Sequence, residues 1–275
     1  MKLQYLGTAA AEGIPGIFCE CETCKKALER GGRHIRTRSQ AVIDDALLID
    51  LPADTYLHYL QHRFPLYAIK QCLITHSHAD HLYPLELEMI KKGFAHLTDT
   101  SPLHIYADID GYNQIRNVVN NYSISEIKLH RLTLNTPFAV GEYTVTALRA
   151  AHDRSSSPVI YIIEKDSKSL FYSNDTSEYP PESWAYLKTL QKPLDLISLD
   201  CTEGCNHPDY EGHLSLDRCI ALRDELLKAG VANEQTRFIL NHFSHNAKMV
   251  SYDEFVPIAA AQGFDVSYDG MVVEI

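Results

Sequence analysis

Along the whole chain, apolar and polar positions either alternate or gather into short apolar runs closed by turn residues. Residues 2–6, 41–50, 69–75, 103–106, 143–150, 159–164, 169–172 and 194–199 carry this pattern and are expected as strands. Between them, apolar residues recur at helical spacing over 23–29, 55–62, 84–93, 111–120, 181–191, 216–229 and 251–262, and residues 122–128 also look helical. Gly230 is placed to end one helix, and Ser251 with Glu254 has the spacing of a capping box before another. A late β-type run at 237–240 leads into Asn241-His242, and residues 264–268 and 271–275 read as a closing hairpin around Asp269-Gly270. Strands and helices interleave throughout, so the fold class is α/β. No linker, repeat or low-complexity segment divides the sequence, and a single domain over residues 1–275 is expected.

Composition narrows the function classes. With 275 residues, 45% of them hydrophobic, the chain can bury a core without disulfide staples. No apolar run approaches the roughly 20 residues that cross a bilayer, and residues 1–7 lack the apolar stretch of a signal peptide, so no membrane partner and a cytoplasmic location are expected. The 25 Lys+Arg against 36 Asp+Glu give a formal charge of -11, which disfavours a nucleic acid polymer held by its phosphate backbone. An anionic small molecule remains compatible if metal ions supply a local positive site. A homodimer packed through the tyrosines of residues 56–59 is also compatible with the sequence, although tyrosines on a helix are more often ordinary half-buried residues.

Three of the seven cysteines, Cys19, Cys21 and Cys24, crowd into six positions, too close for a conventional disulfide framework and suited to metal binding. Cys72 lies in an apolar run and Cys219 in a helical pattern, where each reads as a small buried hydrophobe.

The most informative stretch is Thr75-His76-Ser77-His78-Ala79-Asp80-His81, directly after the apolar run Cys72-Leu73-Ile74. Three imidazoles and a carboxylate in six consecutive positions, on a turn at a strand end, can face two neighbouring points and ligate two adjacent cations. Imidazole nitrogen and carboxylate oxygen suit Zn, Mn or Fe. Without cations these groups would compete for hydrogen bonds beside a buried strand.

This segment resembles the His-x-His-x-Asp-His signature of the metallo-β-lactamase superfamily, which His76, His78, Asp80 and His81 match without a departure. The resemblance implies an αββα four-layer sandwich and two divalent metals, Mn or Zn. By that resemblance His76, His78 and His152 bind one metal, Asp80, His81 and His242 bind the other, and Asp175 bridges them. His152, Asp175 and His242 each follow an expected strand, where loops carry function on a rigid scaffold. Asp50 matches the family's early aspartate, which supports the His-rich loop rather than touching metal. Gly212-His213-Leu214-Ser215 resembles the family's histidine before a helix near the substrate phosphate. This implies that His213 contacts phosphate or donates a proton to the leaving group.

Cys19, Cys21 and Cys24, preceded by Gly7-Thr8-Ala9-Ala10-Ala11-Glu12-Gly13-Ile14-Pro15, are similar to the PhnP-like phosphodiesterase branch, whose three cysteines and a C-terminal histidine hold a structural zinc. The matching histidine is His245. Three thiolates and one imidazole form a closed set with no position open to substrate. A PqqB-like branch carries a similar cysteine site, so the zinc does not specify the reaction.

The resemblance implies a binuclear metal-dependent hydrolase, a phosphodiesterase for small or cyclic phosphodiesters that uses a metal-activated water, with Asp80 and His213 as the groups closest to catalysis. Hydrolysis of lactones, thioesters or other acyl substrates is the alternative on the same metal centre, and a non-catalytic metal-binding protein is a third reading. The segments 111–128 and 153–157 depart from the family pattern and bear on the shape of the pocket.

Overall fold

A computed structural model describes residues 1–206 and 212–275. Its first half forms β1 (Lys2–Gly7), α1 (Glu22–Arg30), β2 (Gln40–Ile43), β3 (Leu47–Ile49), α2 (Thr55–His62), β4 (Gln71–Leu73), β5 (Leu103–Ala107), α3 (Ile109–Asn121) and β6 (Ile127–Arg131). The second half forms β7 (Phe138–Val140), β8 (Tyr143–Arg149), β9 (Val159–Lys165), β10 (Lys168–Ser173), α4 (Pro181–Leu187), β11 (Leu196–Asp200), α5 (Leu216–Lys228), β12 (Arg237–Asn241), α6 (Tyr252–Ala261), β13 (Asp265–Val266) and β14 (Val272–Glu274).

Among the described residues, the strands make two seven-stranded sheets, ordered β14-β1-β2-β3-β4-β5-β6 and β13-β12-β11-β10-β9-β8-β7. Strand periodicity explains the layers. In β9 and β10, Tyr161, Ile163, Leu170 and Tyr172 point between the sheets and pack with Leu3, Tyr5 and Ile43 of the other sheet. Their neighbours Ile160, Ile162 and Phe171 point outward onto Leu222 and Phe255 of α5 and α6. The first sheet repeats the arrangement, with Leu73 inward and Cys72 and Ile74 outward toward Ile115 of α3. These central strands are therefore apolar on both faces and read as near-continuous apolar runs. The result is the αββα sandwich. Hydrogen bonds from Tyr161 Oη to the Ile74 carbonyl (2.6 Å) and from Tyr5 Oη to Ser198 Oγ (2.9 Å) satisfy polar tips inside the inter-sheet layer.

Strand direction gathers the site. β10, β11 and β12 are mutually parallel, and β8 is antiparallel to β9, which is antiparallel to β10. The C-terminal ends of β8, β10, β11 and β12 consequently reach one rim of the second sheet. β3, β4 and β5 run parallel in the first sheet, and the loop after β4 meets that rim.

Several sequence expectations need correction. The expected hairpin at 264–275 does not form: β13 pairs with β12 in one sheet and β14 with β1 in the other. Asp269 instead binds two loops, accepting from Thr8 Oγ1 (2.6 Å) and from the Thr37 amide (2.7 Å). Residues 122–128 are not helical, because β6 begins at Ile127 and pairs with β5. The run 41–50 is two antiparallel strands joined at Asp44-Asp45, both with positive φ. Residues 84–90 form a 3-10 helix behind Pro84, and α4 stops at Leu187. Ser251 makes no side-chain cap at α6; its hydroxyl meets His34 and Arg30 instead. No helix among the described residues is long and apolar enough to cross a membrane.

Candidate metal centres

Beyond β4 the chain turns through His76, His78, Asp80 and His81, and the amides of His81 and Leu82 close the turn on the His78 carbonyl (3.0 and 2.8 Å). The other groups arrive from separate strand ends: His152 beyond β8, Asp175 beyond β10 and His242 directly after β12. Asp50, Asp175 and His242 all hold positive φ, at 67°, 50° and 64°. Such backbone costs free energy in non-glycine residues and persists where surrounding contacts fix it.

Two donor clusters result. His76, His78 and His152 form the first, with His78 Nδ1 3.2 Å from His152 Nε2. Asp80, His81 and His242 form the second, with His81 Nε2 3.3 Å from both Asp80 Oδ2 and His242 Nε2. Asp175 stands between them. Its Oδ2 is 3.0 Å from His81 Nε2, and its Oδ1 is 3.1 Å from His242 Nε2 and 3.9 Å from His152 Nε2. Donors bonded at about 2.0–2.1 Å to one tetrahedral cation lie about 3.3 Å apart, which is the spacing observed.

Hydrogen bonding does not account for this arrangement. His76 Nε2 is buried without a partner, and Asp175 Oδ2 faces His81 outside hydrogen-bonding geometry. Asp50, Asp80, Asp175 and Asp200 are four buried carboxylates around one rim, a concentration of negative charge that needs cations. Burial alone would raise Asp80 and Asp175, but the imidazoles of His81 and His242 hold both well below the usual carboxylate range. Burial holds His76 and His152 low and therefore neutral, the form that ligates metal. His81 is the converse case: burial opposes its charge, yet Asp175, Asp80 and Asp50 raise it, so this position attracts a cation.

Asp50 does not reach the clusters. Its Oδ2 accepts from His81 Nδ1 (2.7 Å) and its Oδ1 accepts from the Thr75 amide (2.7 Å), which orients the His-rich turn from behind. His213 joins the rim at the start of α5, its ring 4.7 Å from that of His152 and 5.5 Å from that of His242. Its Nδ1 donates to Asp200 Oδ2 (2.7 Å). Burial would lower the His213 pKa, but the Asp200 charge and hydrogen bond outweigh it and raise it to about 9.

Three contributors escaped the sequence reading. Asp200 ends β11, and Thr202 Oγ1 lies 2.8 Å from His242 Nδ1. Asp153 Oδ2 lies 3.2 Å from His78 Nε2, which leaves Nδ1 of that ring for the cluster. An aspartate closing an apolar strand, the feature shared by Asp50 and Asp200, is the one signal that could have singled out Asp200; nothing local marks Thr202 or Asp153.

A separate cluster joins Cys19, Cys21, Cys24 and His245, with His245 Nδ1 3.5 Å from Cys19 Sγ and 3.6 Å from Cys21 Sγ. A tetrahedral angle between bonds of about 2.0 and 2.3 Å gives about 3.5 Å, so these donors fit zinc. The Gly16 amide donates to Cys24 Sγ (3.2 Å), and the Cys21 amide approaches Cys19 Sγ (3.4 Å). Burial would raise the Cys21 thiol, but N–H and His245 contacts outweigh it and lower it to about 6. Thiolate is the form that binds metal.

The sequence profile of the beta-lactamase superfamily domain matches residues 48–243, a span that holds every residue of the two rim clusters. Comparison with curated protein sequences finds no match. Among solved structures, a diphosphatase from the PhnP family superposes with a TM-score of 0.73 at 23% identity, covering 100% of this chain and 96% of that one. Zn(2+)-bound PqqB from Methylobacterium extorquens gives 0.73 at 19% identity, with 100% of both chains covered. The short form of human tRNase Z gives 0.67 at 18% identity, covering 100% and 99%. At these identities the likeness establishes fold.

Proposed function

Because the chain belongs to the beta-lactamase superfamily, we propose that its rim holds two divalent metals and that the protein is a hydrolase of small phosphodiesters. His76, His78 and His152 hold one metal, Asp80, His81 and His242 the other, and Asp175 bridges them; Mn and Zn both suit this donor set. Cys19, Cys21, Cys24 and His245 hold a structural zinc. The observation that carries the reading is the convergence of seven donor residues on one rim, with His78–His152 and His81–His242 at tetrahedral-edge spacing and with a buried imidazole nitrogen and a carboxylate oxygen lacking hydrogen-bond partners.

When bound, such a pair of cations supplies positive charge to a non-bridging phosphate oxygen and activates a water for in-line attack. The chain's own residues set the geometry. Asp50 and Asp153 fix the rings of His81 and His78, and Thr202 fixes that of His242. Asp200 keeps His213 protonated near neutrality and holds its Nδ1, so that Nε2–H is the second donor and serves the phosphate or the departing oxygen.

Charge favours phosphodiesters over acyl substrates. The donor rim carries a cationic His213, and its neighbouring cavity beside His152 is lined by arginine and serine side chains. An apolar cavity of about 350 Å³ does exist, but Leu48, Leu51, Leu87 and Ile105 place it on the outer face of the first sheet, and no metal-donor residue lines it. The similar PhnP-family protein is a diphosphatase, which supports phosphorus chemistry for the same fold.

The test compares turnover of an aryl phosphodiester, an aryl ester and a lactone by protein loaded with Mn or Zn, with Asp80→Ala as control. Phosphodiester turnover that the control abolishes is expected. Ester or lactone turnover alone would keep the metal centre and remove the substrate class.

A further inference from the structure

The outer face of the first sheet is incompletely covered between α2 and the segment that follows the His-rich turn. Residues 84–90 of that segment form only the 3-10 helix behind Pro84, and residues 91–102 form no helix. The space left is the apolar cavity of about 350 Å³. Its floor is aliphatic and deep: Leu48, Leu51, Cys72, Leu87 and Ile105 are each 6% exposed or less. Tyr56 and Tyr67 also line it and are 64% and 67% exposed, so it opens to solvent. Protein interiors are close-packed, and an apolar cavity of about 150 Å³ already stays dry and takes up small apolar molecules. This one is roughly twice as large.

The polar groups on the lining are few and point to one kind of head group. Lys70 Nζ donates to the Asp99 and Ser101 carbonyls (2.9 and 3.0 Å), which leaves a third N–H for a further acceptor. The Asp99 carboxylate stands 3.8 Å away with its side chain 65% exposed, a water-screened pairing that leaves most of the ammonium charge available. The hydroxyls of Tyr56, Tyr59 and Tyr67 make no hydrogen bond among the described residues. Glu86, an acidic residue of the lining, is exposed to water.

We propose that this cavity binds a medium-chain aliphatic monocarboxylate, with its alkyl chain on the sheet and its carboxylate at Lys70 and the tyrosine hydroxyls. The aliphatic floor selects the chain, and a buried stem ending in an ammonium selects the anion. At about 30 Å³ per methylene, close to the share of one water in the liquid, the cavity holds a chain of about ten carbons. No metal-donor residue lines it, so the site is separate from the rim and does not depend on the hydrolase reading.

The experiment is calorimetric titration of metal-loaded full-length protein with straight-chain carboxylates from hexanoate to tetradecanoate, and with decanol. Decanoate is expected to bind with a Kd of about 10–100 μM. Affinity should rise by about ten-fold for each added pair of methylenes up to decanoate, then level off once the chain outgrows the cavity. Decanol should bind about ten-fold more weakly than decanoate, and Lys70→Met should remove that difference. Ala95→Phe, which adds a ring from the covering segment, should weaken decanoate by about ten-fold or more, with a thermal scan confirming the fold.

Absence of decanoate binding in the wild type would overturn the site. So would an affinity that climbs through tetradecanoate and ignores both variants, the mark of adsorption on the surface. Asp80→Ala protein should bind decanoate like the wild type; loss there would place the carboxylate on rim metals instead. A wild type that sediments as a dimer, binds no decanoate and becomes monomeric in Ala95→Phe would give the cavity to a second copy and end the proposal.

Discussion

His81 Nδ1 lies 2.7 Å from Asp50 Oδ2, both side chains fully buried, so the ring that faces the second donor cluster through Nε2 is held from behind by a carboxylate with no role in that cluster. Asp50 also anchors the Thr75 amide and hydroxyl, and thereby the entry of the whole His-rich turn. Replacing it by Asn keeps the shape but removes the charge that fixes the His81 tautomer. Asp50→Asn is expected to weaken binding at the second metal position by about 10–100-fold while the fold is retained. Competition with a chromogenic chelator measures this; unchanged affinity would separate Asp50 from the centre.

Cys21→Ala removes one thiolate from the closed cluster on the loop before α1. The variant should lose about one zinc per chain and melt at lower temperature, while folded protein keeps appreciable turnover, because the cluster leaves no open position for substrate. Metal analysis beside a thermal scan reads both. Unchanged zinc content would contradict the assignment.

His213→Ala should lower kcat on a phosphodiester by about 100-fold or more at unchanged metal content, since the side chain lies at the rim but outside the two metal clusters of the proposal. Asp200→Asn should reproduce part of that loss by removing the charge that keeps His213 protonated. Normal kcat in both variants would return His213 to a structural role.

His58 supplies a pH-dependent term remote from the metals. Its ring is buried on α2, with Nδ1 2.6 Å from Gln40 Oε1 and Nε2 2.7 Å from Thr37 Oγ1, and burial lowers its pKa from 6.5 to about 4 despite the nearby Asp54 charge. The unfolded chain therefore binds the proton more readily. The stabilisation is complete above pH 6.5 and is lost as pH falls from there toward about 4. Between pH 7 and 5 the unfolding free energy of the wild type should fall by about 2 kcal/mol relative to His58→Gln, as read from urea melts at each pH. A constant difference between the two proteins would show that His58 titrates alike in both states.

The site was legible where its chemistry is local. His76, His78, Asp80 and His81 sit within six positions, and strand-ending runs pointed to His152, Asp175 and His242 once a resemblance supplied their order. Asp200, Thr202 and Asp153 were not legible, because each acts by holding one nitrogen of a histidine from another segment, and sequence carries no mark of such a pairing. The fold failed to show itself in the same way at the C-terminus. Asp269-Gly270 has the composition of a tight hairpin turn, but whether its flanking strands pair with each other or with β12 and β1 is a long-range choice. The tie from Asp269 to Thr8 and Thr37 accompanies the second outcome.

The most direct test of the two-metal account is metal stoichiometry by mass spectrometry after equilibrium dialysis of the wild type and Asp175→Ala against saturating Mn and Zn, followed by removal of unbound metal. The account predicts about three metals per chain in the wild type and, because Asp175 contacts both rim clusters, a variant that retains the thiolate-bound zinc and loses one or both of the others. A wild type that binds only the thiolate-held ion, or an Asp175→Ala protein with undiminished metal content, would contradict it.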